Sequence, residues 1–193
     1  ASSSPRRKKI LEDLKVEFEI IPANINEDVV DKRNPFIYVQ EIARMKAERV
    51  ANILKEKNAV IVAADTIVLI DDELLGKVHN KEDMKKILEK LRGKSHKVLT
   101  GISIIDTENG RILQDYEESE VRFRNLTEET INNYINSMSW QNKAGGYNIE
   151  EVEEKFVEEI KGDYYNILGL PVKKLNYLLS KLGLSLEYFM EKK

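Results

Sequence analysis

Helix and strand patterns alternate along these 193 residues, which predicts an α/β fold built on a mixed sheet. Three observations carry that expectation. Ala59-Val60-Ile61-Val62-Ala63-Ala64 is an unbroken apolar, largely β-branched run, the pattern of a strand covered on both faces. Two long strand patterns, 96–106 and 112–123, flank Glu108-Asn109-Gly110 and read as a hairpin. Helix-start signals stand at Ser4-Pro5, Asn34-Pro35, Asn80, Thr127 and Pro171.

In chain order, Ser4 reads as an N-cap and Pro5 as the first helical residue, with Ile10, Leu11 and Leu14 on one stripe behind them. Residues 16–21 alternate apolar and charged and read as a strand; 22–32 is acidic loop. Asn34-Pro35 opens a helix to about Lys57 whose inner face collects Val39, Ile42, Ala43, Lys46, Val50 and Leu54. The apolar strand stops at Asp65-Thr66. Residues 67–70 and 74–75 make a short hairpin around Asp71-Asp72, and Gly76-Lys77 follows. Asn80 caps a helix to Leu91 that Gly93 ends. Thr127 caps the next helix to about Asn136, and 139–149 is a loop holding Gly145-Gly146. Segments 155–160 and 164–168 read as strands, and Pro171 starts a last helix through Leu182. With no repeat, low-complexity tract or linker, residues 1–193 read as one domain.

Composition removes several function classes. With 41% hydrophobic residues the chain can bury a core despite its 34% charged content. No apolar run nears the ~20 residues of a membrane span, and no signal-peptide pattern opens the chain. There is no Cys and only 2 His, which excludes a disulfide scaffold, a Cys-ligated metal, a thiol nucleophile and a His-rich metal site. A reducing, cytoplasmic setting is expected. The net charge of −3 and a single basic cluster offer no stripe for a nucleic-acid backbone, so neither nucleic acid nor membrane is an expected partner; a homodimer stays open.

The chemistry-bearing residues fall at a few places. Ser2, Ser3, Ser4, Arg6, Arg7, Lys8 and Lys9 surround a helix start, where N–H groups, the helix dipole and forked guanidinium groups favour phosphate. The same residues also fit a solvated basic first turn. Asp65 closes a buried-type strand, where a carboxylate must be paired, hydrogen-bonded or bound to metal, or else it caps the next turn. Lys46 lies on an apolar stripe and either snorkels to solvent or points into a cleft. Lys77 follows a permissive glycine, Gly76, and Gly145-Gly146 between Lys143 and Tyr147 either approaches a nucleotide or forms a plain turn. Glu27, Asp28 and Asp31 are hard oxygen donors suited to Mg²⁺. Together these suit a polyphosphate and a divalent ion.

The same residues resemble one family. Ala1-Ser2-Ser3-Ser4-Pro5-Arg6-Arg7 matches the ASxSPRR opening of the Maf nucleoside triphosphate pyrophosphatases, also described as septum formation inhibitor proteins. Ala64-Asp65-Thr66 is similar to their ADT, Gly76-Lys77 to GKP with Val78 replacing Pro, and the stretch from Gly93 through His96 to Thr100-Gly101 to SGxxHxVxTG. Val121 to Arg124 resembles VxFR, Lys143 to Tyr147 KAGAY, and Gly162 to Pro171 GxYxNVxGLP. The resemblance implies an elongated α/β body with two lobes around a central cleft, similar to inosine triphosphate pyrophosphatases. It further implies a cytoplasmic enzyme dependent on Mg²⁺ or Mn²⁺ that cuts a nucleoside triphosphate to the monophosphate and pyrophosphate. Under it Asp65 is the proton acceptor, and Arg6, Thr66 and Glu150 govern substrate choice. On charge and position, Asp65 and Glu27 are expected to hold the metal, and Ser2, Ser4, Arg6, Arg7, Lys46, Thr66, Lys77 and Glu150 to contact substrate.

Arg6 with the ADT and KAGAY forms resembles the branch acting on dTTP and UTP. Where the family reads DKAGAYGIQG, however, this chain carries Glu150 in place of Gln. A glutamine amide donates and accepts, whereas an ionised Glu only accepts. Weaker dTTP/UTP preference with some acceptance of CTP or modified pyrimidines is therefore expected. A nucleotide-binding regulator of septum formation with little turnover is the alternative.

Overall fold

The eleven residues Val60–Ile70 form a single strand, β1, in the computed structural model, which describes residues 1–2, 4–55, 58–76, 78–141 and 143–190. The predicted stop at Asp65-Thr66 is not there. Thr66 is β-branched and Ile67-Val68-Leu69-Ile70 is apolar, so the extended backbone continues past the carboxylate. Asp71 and Asp72 then take positive φ, 50° and 62°, and turn the chain into β2 (Glu73–Leu74), with Leu69 opposite Leu74 and Ile70 opposite Glu73. Such a turn favours residues that tolerate the left-handed region, which Asp does.

The predicted long hairpin is β3 (Ser95–Asp106) and β4 (Arg111–Phe123), and β5 (Val157–Lys161) pairs antiparallel with β4. Among the described residues the sheet order is β2-β1-β3-β4-β5, and the sheet is antiparallel rather than mixed. Short turns oblige β1–β2 and β3–β4 to run in opposite directions. The Thr107 N–H, just after β3, donates to the Ala59 carbonyl, just before β1, at 3.0 Å, which sets that pair antiparallel too.

Seven α-helices lie among the described residues: α1 (Pro5–Asp13), α2 (Pro35–Leu54), α3 (Lys81–Leu91), α4 (Glu128–Ser137), α5 (Ile149–Phe156), α6 (Tyr164–Leu168) and α7 (Val172–Lys181). The predicted caps act as expected at α2, α3 and α4, where the side chains of Asn34, Asn80 and Thr127 accept from first-turn N–H groups. The expected end of α2 at Lys57 falls outside the described residues; the helix closes at Leu54.

Two strand expectations fail and a third is shifted. Among the described residues, 16–21 join no ladder: Val16 bridges Met190, the Val16 N–H donates to the Leu11 carbonyl at 3.0 Å, and the Glu17 N–H donates to the Phe189 carbonyl at 2.8 Å. Their alternation reports a half-buried extended segment, not a ladder. The predicted strand 155–160 starts late because α5 occupies the chain through Phe156. Residues 164–168 are helical, since the Asp163 carboxylate accepts the Tyr165 N–H at 2.8 Å and starts a turn.

Two compact units divide the chain: Ala1–Asp65, Thr100–Glu117 and Leu168–Lys193 in the first, Thr66–Leu99 and Glu118–Ile167 in the second. In the first, Ala23, Ala47, Val50, Ile61, Ala63 and Ile105 form an apolar cluster that fastens α2 to the sheet. A Cβ on Gly101 of β3 would stand 2.2 Å from the Val39 carbonyl oxygen of α2, so only glycine permits that approach. In the second, Phe123 meets His96, Tyr147 and Phe156 edge-on, with ring centroids 4.8, 5.1 and 5.6 Å apart. No helix among the described residues is long and apolar enough to cross a membrane.

Candidate active site

Helix α2 buries Val39, Ile42, Ala43 and Ala47, and the same face carries Lys46 inward. Lys46 does not snorkel to solvent. Its Nζ lies 2.7 Å from Asp65 Oδ1 and 2.9 Å from Glu27 Oε1. Asp65 stands in mid-strand, held by the β1 backbone, and Glu27 opens a 3₁₀ turn, Glu27–Val29, whose start is fixed by Asn26 Oδ1 accepting the Asp28 N–H at 3.1 Å. The turn-capping reading of Asp65 is thereby replaced by a charge-paired one.

Beside this trio the first residues of the chain form a hydrogen-bonded lead into α1. The Ala1 nitrogen donates to the Val62 carbonyl of β1 at 2.6 Å, the Ser4 N–H to Ser2 Oγ at 3.1 Å, and Arg7 Nη1 to the same oxygen at 3.1 Å. Ser4 occupies the N-cap position, but its side chain makes no capping bond. Burial works against the charge of Arg7, whereas the carboxylates of Asp65 and Glu27 favour it and Arg6 opposes it. Asp65, Glu27 and Arg6 thus all act electrostatically on Arg7.

Tyr38 belongs to the same neighbourhood and was not anticipated. It is buried, and its hydroxyl is pushed up to about 12 by burial first and then by the charges of Asp65, Glu27 and Asp28. The signal was present in the spacing: Tyr38, Ile42 and Lys46 repeat every four residues, one helical face.

Other expected residues are placed differently. Asp28 and Asp31 turn to exposed cations, Lys32 at 3.1 Å and Arg33 at 2.6 Å, so of the acidic loop only Glu27 joins Asp65. Lys8 and Lys9 make exposed pairs with Glu12 and Asp13 along α1. Thr66 is the first residue of the second unit. Glu150 is exposed in the first turn of α5, where a carboxylate suits the helix dipole, and its charge acts on Tyr164. Gly145 and Gly146 are packed turn residues. Added Cβ atoms there would meet Val68 at 2.9 Å and Met84 at 2.5 Å. Lys77 and Ser3 lie outside the described residues.

Among the described residues no three His, Cys, Asp or Glu side chains gather as a metal cage. Two carboxylates that converge on one ammonium do fit a divalent cation whose remaining positions are filled by phosphate oxygens, because the donors are hard and the Lys46 ammonium marks where positive charge is held. A cavity of about 370 Å³ is lined by Ser2, Ser4, Arg7 and Lys8 together with apolar residues such as Phe18, Ile21, Val60 and Leu175. Asp65, Glu27 and Lys46 do not line it.

An α/β protein whose cationic first helix borders a carboxylate pair has the makings of a phosphate-handling enzyme. Residues 1–182 match the family model described as Maf-like protein. The chain belongs to the Maf family. It is 42% identical over 187 residues to a protein of Dictyoglomus thermophilum named dTTP/UTP pyrophosphatase, covering 96% of each chain. Proteins of the same name from Ruminiclostridium cellulolyticum and Clostridium tetani are 44% identical over 184 residues and 42% over 187, covering 95% and 96% of this chain and 94% and 97% of theirs.

Proposed function

We propose that the chain is a nucleoside triphosphate pyrophosphatase that splits a pyrimidine nucleoside triphosphate, such as dTTP or UTP, into the monophosphate and pyrophosphate. The observation that carries this reading is the Asp65–Lys46–Glu27 array next to Arg7, supported by relatives named for that reaction over nearly their whole length. Asp65 accepts a proton from the water that attacks the α-phosphorus. The bond to the bridging oxygen breaks, and pyrophosphate leaves with the electron pair. Arg6, Arg7, Lys46 and Lys77 neutralise the charge that grows on the leaving oxygens. Ser2 and Ser4 offer donors at the α1 start. Glu27 and Asp65 would hold a divalent cation, Mg²⁺ or Mn²⁺, which would polarise phosphoryl oxygens.

Arg6, Thr66 and Glu150 are the residues we assign to substrate choice. An exposed Glu150 carboxylate accepts hydrogen bonds only, which suits the amino group of cytosine better than the O4 of uracil or thymine. We take residues 1–193 as one domain because the family match runs through both units, and a Cys-free chain supports a cytoplasmic setting. The reading as a regulator without turnover is not favoured, since the relatives carry an enzyme's name. The test is pyrophosphate release from a panel of nucleoside triphosphates with Mg²⁺ or Mn²⁺. Release from dTTP, UTP or CTP is expected, and a silent panel would overturn the proposal.

A further inference from the structure

The carboxylate pair already holds a cation of the protein's own. Lys46 Nζ bonds Asp65 Oδ1 at 2.7 Å and Glu27 Oε1 at 2.9 Å, and its side chain is only 17% exposed. That ammonium keeps the two carboxylates convergent when they would otherwise repel each other. It also stands where a divalent ion on the same oxygens would stand. Two cations cannot share that gap, because their repulsion grows as water is excluded. The neighbouring charged groups on α1, Arg6 and Arg7, are themselves cationic, so an ammonium driven off the carboxylates needs an anion brought from outside.

We propose that Lys46 is a displaceable counter-ion: it bridges Asp65 and Glu27 in the resting protein and offsets half their charge, leaves them when a divalent cation enters, and passes to the polyphosphate. The resting chain therefore holds Mg²⁺ or Mn²⁺ weakly, and metal and triphosphate bind cooperatively, each supplying what the other displaces. The inference rests on the pyrophosphatase reading for its choice of ion. Its test uses Mn²⁺ alone, so a chain that behaves as stated here but releases no pyrophosphate would fail only that earlier reading.

Mn²⁺ binding is followed without nucleotide, by the paramagnetic signal of the free ion, for the wild type, Lys46→Met and Lys46→Gln at fixed ionic strength. Removing a full competing charge should tighten Mn²⁺ binding in both variants by at least ~10-fold. In parallel, amine acylation of the wild type is mapped by mass spectrometry with and without saturating Mn²⁺, a measurement that needs no variant to fold. Lys46 should label several-fold faster with Mn²⁺, while the surface pair Lys9–Asp13 should give an unchanged rate at Lys9. Folded variants that bind Mn²⁺ no more tightly than wild type, or Lys46 labelling that ignores Mn²⁺, would overturn the proposal.

Discussion

Arg7 Nε donates to the carbonyl of Gly169 at 2.6 Å, joining the first helix to a residue 162 positions further along the chain. The same guanidinium also reaches Ser2. Its fork is thus used in part to hold the protein's own backbone, which aims the remainder of the group.

Arg7→Lys tests that arrangement. A single ammonium lacks the planar fork needed to serve the Gly169 carbonyl and the Ser2 hydroxyl while presenting paired donors to phosphate. We expect kcat/KM to fall ~10²-fold, equivalent to roughly 3 kcal/mol for a charged hydrogen bond. Steady-state pyrophosphate release measures it, and a value within twofold of wild type would contradict the role.

Asp65→Asn keeps the shape of the side chain and removes the base. A fall in kcat of at least ~10² follows from the usual contribution of a general base. Glu27 still pairs with Lys46, so the thermal midpoint should move little. Near-normal turnover in this variant would take Asp65 out of the mechanism.

Glu150→Gln addresses base choice. The amide restores a donor, so UTP and dTTP should gain on CTP by roughly tenfold, the lower end of what one bidentate pairing discriminates. Competition assays on the mixed nucleotides read the ratio directly. Identical rankings for the two proteins would refute the assignment.

Acid stability should depend on His96. The residue is 2% exposed, its Nε2 lies 2.7 Å from the Tyr147 hydroxyl, and its Nδ1 has no hydrogen-bond partner among the described residues, a setting that suits neutral imidazole. Burial pushes its pKa from 6.5 down to about 4. As pH falls through 6.5 the unfolded chain takes up a proton that the folded chain refuses until about 4. Stability is therefore unaffected above that window and declines as pH drops within it, by roughly 3 kcal/mol in all at 1.36 kcal/mol per unit. Denaturant melts across the window should show the decline in wild type and a flatter profile in His96→Gln.

Much of the site could be read from residue order because its members sit on strongly patterned elements. The inward stripe of α2 carried Lys46, and the β-branched run carried Asp65. What escaped depended on contacts distant in sequence. Nothing local distinguishes a stripe lysine that meets carboxylates from one that bends to solvent. Helix α5 falls between the expected loop 139–149 and the expected strand 155–160, although Ile149, Val152 and Phe156 keep helical spacing behind two first-turn glutamates. Helix α6 looked like a strand because its buried Asn166 answers to the Val98 carbonyl and Ser119 Oγ, 2.9 Å away in each case.

Carrying Asp65 in mid-strand rather than in a loop constrains how this protein can change. Neighbouring strand positions face opposite ways, so losing or gaining one residue between Val60 and Asp65 would turn the Asp65 side chain to the far surface of the sheet and leave Lys46 facing an alanine or a threonine. A point replacement elsewhere in β1 leaves that facing intact, whereas a shift of frame by a single residue of backbone parts Asp65 from Lys46 at once.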